Sequence, residues 1–346
     1  MSKKRPFFQK LIYFINSLFA LLLLVAYVIP YIKPQNLGSF AGISLLTPLL
    51  ILINLGFVIY WILGINRTFL LSLIVLLIGF SNLSRFYKVA GKKVLLTDDI
   101  KIMSYNVRMF NEYKWTEADS IEENINKLIE HKLPDVLCVQ EYAANPTLEK
   151  DFPYKYIKYK GDKSHFGHAI FSKYPILKKG NLKFEKTANT ILFADIKIDT
   201  DTIRVYNVHL QSIGIDTKED HFDKENATRL RNRINTAFQK QQKQVEELLA
   251  HQKTVNYPII VAGDFNNTAF SWPYRSILKG KNDAYVEAGK GFDKTYNFAF
   301  PMRIDFIMVD ERIEINHFKA YRDKLSDHYP ILARLDRKSL LSVNDE

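Results

Sequence analysis

The distribution of apolar and polar positions changes character near residue 97. Before it, three apolar stretches run from about Leu11 to Ile29, from Ile43 to Leu63 and from Phe69 to Leu83, with no charged side chain inside any of them. Each is near the roughly 20 residues a helix needs to cross the hydrocarbon layer, where an ionised side chain is costly. Pro48, inside the second, is tolerable because neighbouring helices re-satisfy the freed backbone groups. Pro30, Lys33, Pro34 and Asn36 mark the first break, and Asn66 with Arg67 the second. The pattern predicts an all-α transmembrane segment of about three helices, over 11–29, 43–63 and 69–83, within an anchor spanning 1–97. A cleaved leader would account for Lys3, Lys4 and Arg5. Against it, the apolar part is long, no small-residue cleavage site follows, and two further apolar stretches come after.

From Ile100 onward the period shortens to strands and amphipathic helices. IKIMSYN (100–106) reads as a strand, and Ile121, Ile125, Leu128 and Ile129 mark one helix face. Pro134 opens a strand through 136–139 that delivers Gln140 and Glu141 at its end. Further strands are expected at 168–171, 191–198, 203–210, 259–262 and 304–309, and a helix over 229–251. Asp199 to Thr202 joins two of these strands as a hairpin turn. Strands linked partly by hairpins and partly by helices imply mixed sheets with helices outside them. This unit spans 98–337, with 338–346 as a C-terminal tail.

Charge sharpens the division. Ten of the 48 basic residues and none of the 37 acidic ones lie in residues 1–97, leaving 38 basic against 37 acidic side chains beyond. The overall charge of +11 therefore belongs to the flanks of the apolar stretches and is no argument for nucleic-acid binding. With the N-terminus inside, five basic residues face the cytoplasm and five face away, so only the usual dominance of the first helix sets the orientation. An odd number of spans then puts the soluble unit outside the cytoplasm, as part of a multi-pass integral membrane protein. The single cysteine, Cys138, lies in an apolar run and reads as core.

Polar residues recur at the ends of the apolar strands: Asn106, Glu141, His209, Asp264 and Asn266 in VAGDFN, Asp305 in RIDFI, Asp327 and His328 in SDHYP. Taken singly, an Asn or Asp after a strand is usually a turn residue or helix cap. Asp305 differs, since a carboxylate inside an apolar segment needs a partner, and a histidine suits it.

Taken together, the ordered set SYNVR, QE, GHAIFSKYP, NVHLQS, VAGDFN, RIDFI and SDHYP resembles the endonuclease/exonuclease/phosphatase superfamily of DNase I-like nucleases, neutral sphingomyelinases and inositol polyphosphate phosphatases. The resemblance implies a four-layer α/β/β/α sandwich and a divalent metal, Mg²⁺ or Mn²⁺. It implies Glu141 as principal metal ligand, with Asn106 beside it and Asp327 at a second metal position. Asp264 would orient or deprotonate the attacking water, Asn266 would bond a phosphate oxygen, and His209 and His328 would flank the phosphorus, with Asp305 fixing the tautomer of His328. The chain departs from related membrane members at Gln241-Gln242-Lys243-Gln244, where an Arg a few residues before a Gln is usual.

The substrate is left between a phospholipid-type phosphoester and nucleic acid. A lipid bilayer is the expected partner, and no protein partner is inferable from the sequence. Arg229, Arg231, Arg233, Lys240 and Lys243 form a strip that reads either as a phosphate-facing surface or as the solvated face of a helix. An inactive scaffold with the same fold would show substitutions at the motif positions, and none is seen.

Overall fold

The computed structural model describes residues 7–161, 164–185, 187, 189–214, 224–292, 294–298 and 300–342. The Lys3, Lys4 and Arg5 cluster and the last four residues of the tail lie outside them. Beyond the apolar helices the strands in chain order are β1 (Tyr87–Lys88), β2 (Ile100–Asn106), β3 (Val136–Ala143), β4 (Tyr154–Tyr159), β5 (Phe166–Ser172), β6 (Ile176–Leu182), β7 (Ile191–Ile198), β8 (Asp201–His209), β9 (Ile259–Asp264), β10 (Lys281–Asp283), β11 (Gly291–Phe292), β12 (Asp305–Asp310), β13 (Ile315–Ala320) and β14 (Ile331–Leu335). One six-stranded sheet has the order β13-β14-β2-β3-β5-β4, the other β10-β12-β9-β8-β7-β6.

Each sheet holds one parallel pair, β2 with β3 and β8 with β9. A parallel pair needs a long crossover, usually a helix. The helices Ile121–Lys132 and Lys224–Gln252 provide the two. The inner faces meet through Ile102, Val136 and Ile170 on one sheet and Val205, Ile260 and Ile307 on the other, with Cys138 among them. The outer faces bury Met103, Leu137 and Val139 under Ile121, Ile125 and Ile129, and Tyr206, Val261 and Phe306 under Val245 and Leu248. This is the four-layer α/β/β/α sandwich expected from the resemblance. The helix Arg337–Ser342 buries Leu340 in the same inner core, so the packed unit continues past 337. Likewise β1 pairs with β11, and Val94 N–H donates to the Asn316 carbonyl, so the chain joins the sandwich before 98.

Two apolar helical segments, Phe7–Tyr31 and Pro34–Leu63, are long and apolar enough to cross a membrane. The third stretch differs from the single helix expected over 69–83. Phe69–Ile78 ends at Gly79, and the chain turns by 76° into Phe80–Phe86. Ten residues rise only about 15 Å, half the hydrocarbon thickness. The break falls where the Tyr27 ring packs so tightly on Gly79 that an added Cβ would stand 2.0 Å from it, and the polar residues Ser81, Asn82, Ser84 and Arg85 follow.

Polar side chains inside the apolar bundle pair with one another. Asn16 donates to Ser72 (2.5 Å), Ser72 to Asn54 (2.9 Å) and Trp61 to Asn16 (2.9 Å). Hydrogen bonds of this kind fix the register of helices that lipid alone would not hold together. The connection between the first two long helices docks on the sandwich: Gln35 and Gln242 exchange two hydrogen bonds (3.0 and 2.9 Å), Lys33 pairs with Glu246 (2.8 Å), and Arg275 stacks over Tyr31 at 3.5 Å.

Candidate active site

The carboxyl ends of the two parallel pairs face each other across the sandwich. In register, Asn106 lies beside Gln140 and His209 beside Asp264, and Asp264 opposes Asp305 on β12. Just beneath, Gln140 donates to Asn207 (2.6 Å) and Ser104 (3.1 Å), and Asn207 donates to the Val139 and Ala169 carbonyls (both 2.8 Å). This buried tier ties the sheets together at the level where the site begins.

Glu141 owes its aim to an irregularity. The β3–β5 register shifts between Val139 and Tyr142, and Glu141 takes a left-handed backbone, φ 49°. A bulge of this kind re-aims a side chain. It turns Glu141 toward the cavity while Tyr142 stays in the outer core. A non-glycine residue held there stores strain, which clusters at functional positions.

Gly263 sets Asp264. Its φ is 143°, and a Cβ would lie 2.0 Å from the Val208 carbonyl oxygen of β8. Only glycine lets β9 approach so closely. Gly263→Ala is expected to cost about 2–3 kcal/mol from strain and steric overlap, read as a lowered melting temperature, and to displace Asp264.

A cavity of about 180 Å³ is lined by Glu141, His209, Asp264, Asn266, Asp327 and His328, with Tyr296 and Ser212 at its sides. Asn106 and Asp305 stand immediately behind. Asn106 Nδ2 bridges Glu141 (3.3 Å) and Asp264 (3.2 Å). Asp264 Oδ2 lies 3.6 Å from Nε2 of both His209 and His328. His328 Nδ1 lies 3.0 and 3.1 Å from the two Asp305 oxygens. A carboxylate only accepts, so Nδ1 carries the proton and Nε2 faces the cavity. Thr295 Oγ1 receives the N–H of Ile304 and of Asp305 (both 3.0 Å), which anchors the start of β12.

The surroundings push the two histidines in opposite directions. Burial opposes charge on His328, but Asp305 and Asp264 outweigh it and hold its pKa well above the ordinary imidazole value. His209 is pushed well below that value by burial and by the neighbouring His168 and His328 rings. Burial raises Asp264 to about 7, against the pull of His328. It raises Glu141 also, although 33% of that side chain is open to the cavity.

These shifts bear on a metal. Among the described residues neither Glu141 nor Asp264 is paired with Lys or Arg, so two adjacent carboxylates share only the His328 imidazolium, 3.6 Å from Asp264, and lack a second cation. A divalent ion would supply it and would reverse the upward shifts. The donors are hard oxygens, which suit Mg²⁺ or Mn²⁺. Asp264, Asp305 and His328 also offer ligand atoms within 4.8 Å of one another, but Asp305 and His328 Nδ1 are committed to each other.

Other residues fall less simply. Asp327 Oδ2 pairs with Arg108 at 2.9 Å. Asn266, φ 49°, donates from its side chain to the Leu210 carbonyl (3.0 Å) and Asp264 (3.3 Å). Gln241, in the segment that departs from the related membrane members, donates to the Gln211 (2.8 Å) and Asn266 (3.2 Å) carbonyls and accepts from Asn267 (2.7 Å). It positions the Asn266 loop. Of the basic strip, Arg229, Arg231 and Lys243 are exposed, while Arg233 and Lys240 line a shallow depression beside Ser212. Ser271 caps its helix and Tyr274 bonds Asp283 (2.7 Å), both structural roles. Sequence reasoning gave no role to Arg108, and underweighted Tyr296, whose ring lies 5.0 Å from that of His328, and His168, 5.1 Å from His209. Arg108 ends SYNVR and His168 lies within GHAIFSKYP, whereas Tyr296 only precedes RIDFI.

Two mixed six-stranded sheets with acidic, histidine and amide side chains at the ends of their parallel pairs define the DNase I-like class. Residues 103–328 match the Endonuclease/Exonuclease/phosphatase family, and the chain belongs to it, a family of hydrolases acting on phosphoesters. Residues 9–86 match a domain of unknown function, DUF8431. No curated protein matches the chain. Solved structures share the fold. An endonuclease/exonuclease/phosphatase from Bacteroides vulgatus is 20% identical with a TM-score of 0.53, over 69% of this chain and 99% of that one. A mannosyl-6-phosphatase from Bacteroides thetaiotaomicron is 19% identical (TM-score 0.51; 68% and 99%). The human Nocturnin catalytic domain with bound sulfate is 16% identical (TM-score 0.52; 69% and 93%).

Proposed function

We propose that the protein is a membrane-anchored, divalent-metal-dependent phosphoesterase that hydrolyses a phosphodiester or phosphomonoester by in-line attack of water. The observation that carries this reading is Asp264 Oδ2, held 3.6 Å from two imidazole Nε2 atoms and bridged by Asn106 to Glu141. Glu141 and Asn106 would hold Mg²⁺ or Mn²⁺, and the ion would neutralise the non-bridging phosphate oxygens. Asp264 orients the attacking water and takes its proton. Protonated His328, backed by Asp305, donates from Nε2 to the charge developing on the phosphoryl group. Neutral His209 donates or accepts on the opposite side, and Asn266 would hold a phosphate oxygen by exchanging its long bond to Asp264 for one to substrate. Asp327, which lines the cavity and pairs with Arg108 through one oxygen, would contribute to a second metal position.

The anchor geometry supports a bilayer as partner. The exterior of the helical bundle is apolar: Phe8, Phe14, Leu18, Leu21, Leu52, Leu55, Ile59 and Leu77 are exposed, a surface far larger than soluble proteins present. The connection 29–46 and the end of the broken third stretch both sit on the sandwich, so in our reading the chain crosses three times. The N-terminus then lies opposite the catalytic unit. With basic residues at the N-terminus inside, the catalytic unit is extracytoplasmic.

Asp305→Asn tests the histidine assignment through pH. Asp305 raises the pKa of His328, so its loss lowers that pKa, and the imidazolium is lost at lower pH. The alkaline limb of the kcat/KM profile should move to lower pH in the variant. An unmoved limb would remove His328 as the group that titrates. Activity itself is tested with the full-length chain in lipid nanodiscs against plasmid DNA, RNA, a phospholipid panel and bis-(p-nitrophenyl) phosphate, with and without EDTA, beside His328→Ala. EDTA-sensitive cleavage that His328→Ala abolishes supports the reading, and metal-independent cleavage refutes it.

A further inference from the structure

A second cavity, about 300 Å³, lies where the anchor meets the sandwich. Its walls are apolar and come from both parts of the chain: Leu46 and Leu49 from the helical segment, Phe86 from the end of the broken stretch, Phe270 and Phe298 from loops of the sandwich. Leu45 and Met302 line this cavity and the catalytic one alike, so the two spaces adjoin. Its charged neighbours are engaged elsewhere. Arg303 pairs with Asp283 at 2.6 Å, and Arg85 donates to Asn82 and lies over the Tyr274 ring. Packed interiors rarely leave a void of this size, whereas ligand pockets begin at about this volume. The outer lip is Leu46 (49% exposed) and Leu49 (45% exposed), which continue into the apolar exterior of the helices.

The geometry points to a lipid phosphoester as substrate: we propose that its hydrocarbon tail occupies this cavity while its phosphate lies in the adjoining catalytic one. This rests on the phosphoesterase reading and narrows its substrate. A cavity with apolar walls, a lip at the lipid-facing surface and a floor shared with a phosphate-binding constellation matches an amphiphile in both parts. A nucleic acid or sugar phosphate offers nothing to fill it. The anchor is then part of the substrate site as well as a tether, since Leu45, Leu46, Leu49 and Phe86 belong to segments before residue 87.

The test uses the full-length chain in nanodiscs and n-alkyl phosphates of 4, 8 and 12 carbons as inhibitors of bis-(p-nitrophenyl) phosphate hydrolysis. A methylene leaving water is worth up to about fourfold in binding, so the 12-carbon compound should bind at least about tenfold tighter than the 4-carbon one. Partition into the disc also grows with chain length, but equally for every variant. The deciding readout is therefore Leu46→Trp and Leu49→Trp, which narrow the cavity from partly exposed positions. Both should keep the basal rate on bis-(p-nitrophenyl) phosphate and flatten the chain-length dependence. Equal slopes in wild type and both variants would overturn the proposal. A dodecyl phosphate with a terminal diazirine gives a readout independent of turnover, with label expected around Phe270 and Met302. Label confined to the exposed helix exterior would also overturn it. Label in the cavity with no phosphoester hydrolysis would sink the phosphoesterase reading and leave the tail site standing.

Discussion

Asp264→Asn should lower turnover by about 10²–10⁴-fold, the range a positioned general base contributes, while the protein still folds. The substitution keeps shape and the acceptor that receives the Asn266 N–H, but replaces the oxygen that accepts from Asn106 and Asn266 by a donor and removes the carboxylate that faces both imidazoles. Its carboxylic acid is already disfavoured as an anion by burial, so the neutral amide relieves a desolvation cost instead of adding one. The melting temperature of the metal-free protein should fall only modestly, since the relieved desolvation offsets the two acceptor bonds lost at that oxygen. The loss should appear in kcat more than in KM, because the interaction with the attacking water is made in the transition state. Turnover within tenfold of wild type would remove Asp264 from the chemistry.

Arg204→Ala should destabilise the fold by about 3–5 kcal/mol, the cost of leaving one partner of a buried pair unpaired. Arg204 and Asp195 are 1% and 3% exposed, and the guanidinium binds the carboxylate through two bonds, 2.6 and 2.8 Å. The guanidinium also donates to Thr254 (3.1 Å) and lies over the Phe193 ring at 4.7 Å. After truncation Asp195 keeps Tyr257 but loses its cation. Chemical denaturation of the single variant beside the paired Arg204→Met, Asp195→Leu variant separates charge from volume. The pair should recover most of the loss, since apolar replacement of both partners is often neutral. Arg204 lies five residues before His209 on β8, about 16 Å at strand rise, so activity per folded molecule should hold. A single variant as stable as wild type would show that the pair contributes little.

What the sequence made legible follows from range. The hairpin at Asp199 and the strands over 100–106 and 191–198 are local patterns of alternation and turn chemistry, and the structure places them there. Asp305 required a partner by electrostatics alone, and His328 is there. Strands β4 (YKYIKY) and β6 (ILKKGNL) were not read, because both edge strands mix lysines with apolar residues and owe their state to β5 and β7. The left-handed backbone at Glu141 depends on a register shift against β5, which no local pattern announces. The Arg108–Asp327 pair and the Gln241 clamp join residues 219 and 25 apart or more, beyond any spacing rule. The break at Gly79 carries no proline or charge to announce it, and the ring that packs on it, Tyr27, is 52 positions away.

The central claim is that Glu141 holds a divalent ion on which phosphoester cleavage depends. The most direct measurement is Mn²⁺ binding to the full-length protein by electron paramagnetic resonance, followed in the same samples by bis-(p-nitrophenyl) phosphate hydrolysis, for wild type and Glu141→Gln. Bound Mn²⁺ and activity should rise together in wild type, with both lost or weakened by at least about tenfold in the variant. Equal Mn²⁺ binding in the two proteins, or full activity without bound metal, would contradict the account.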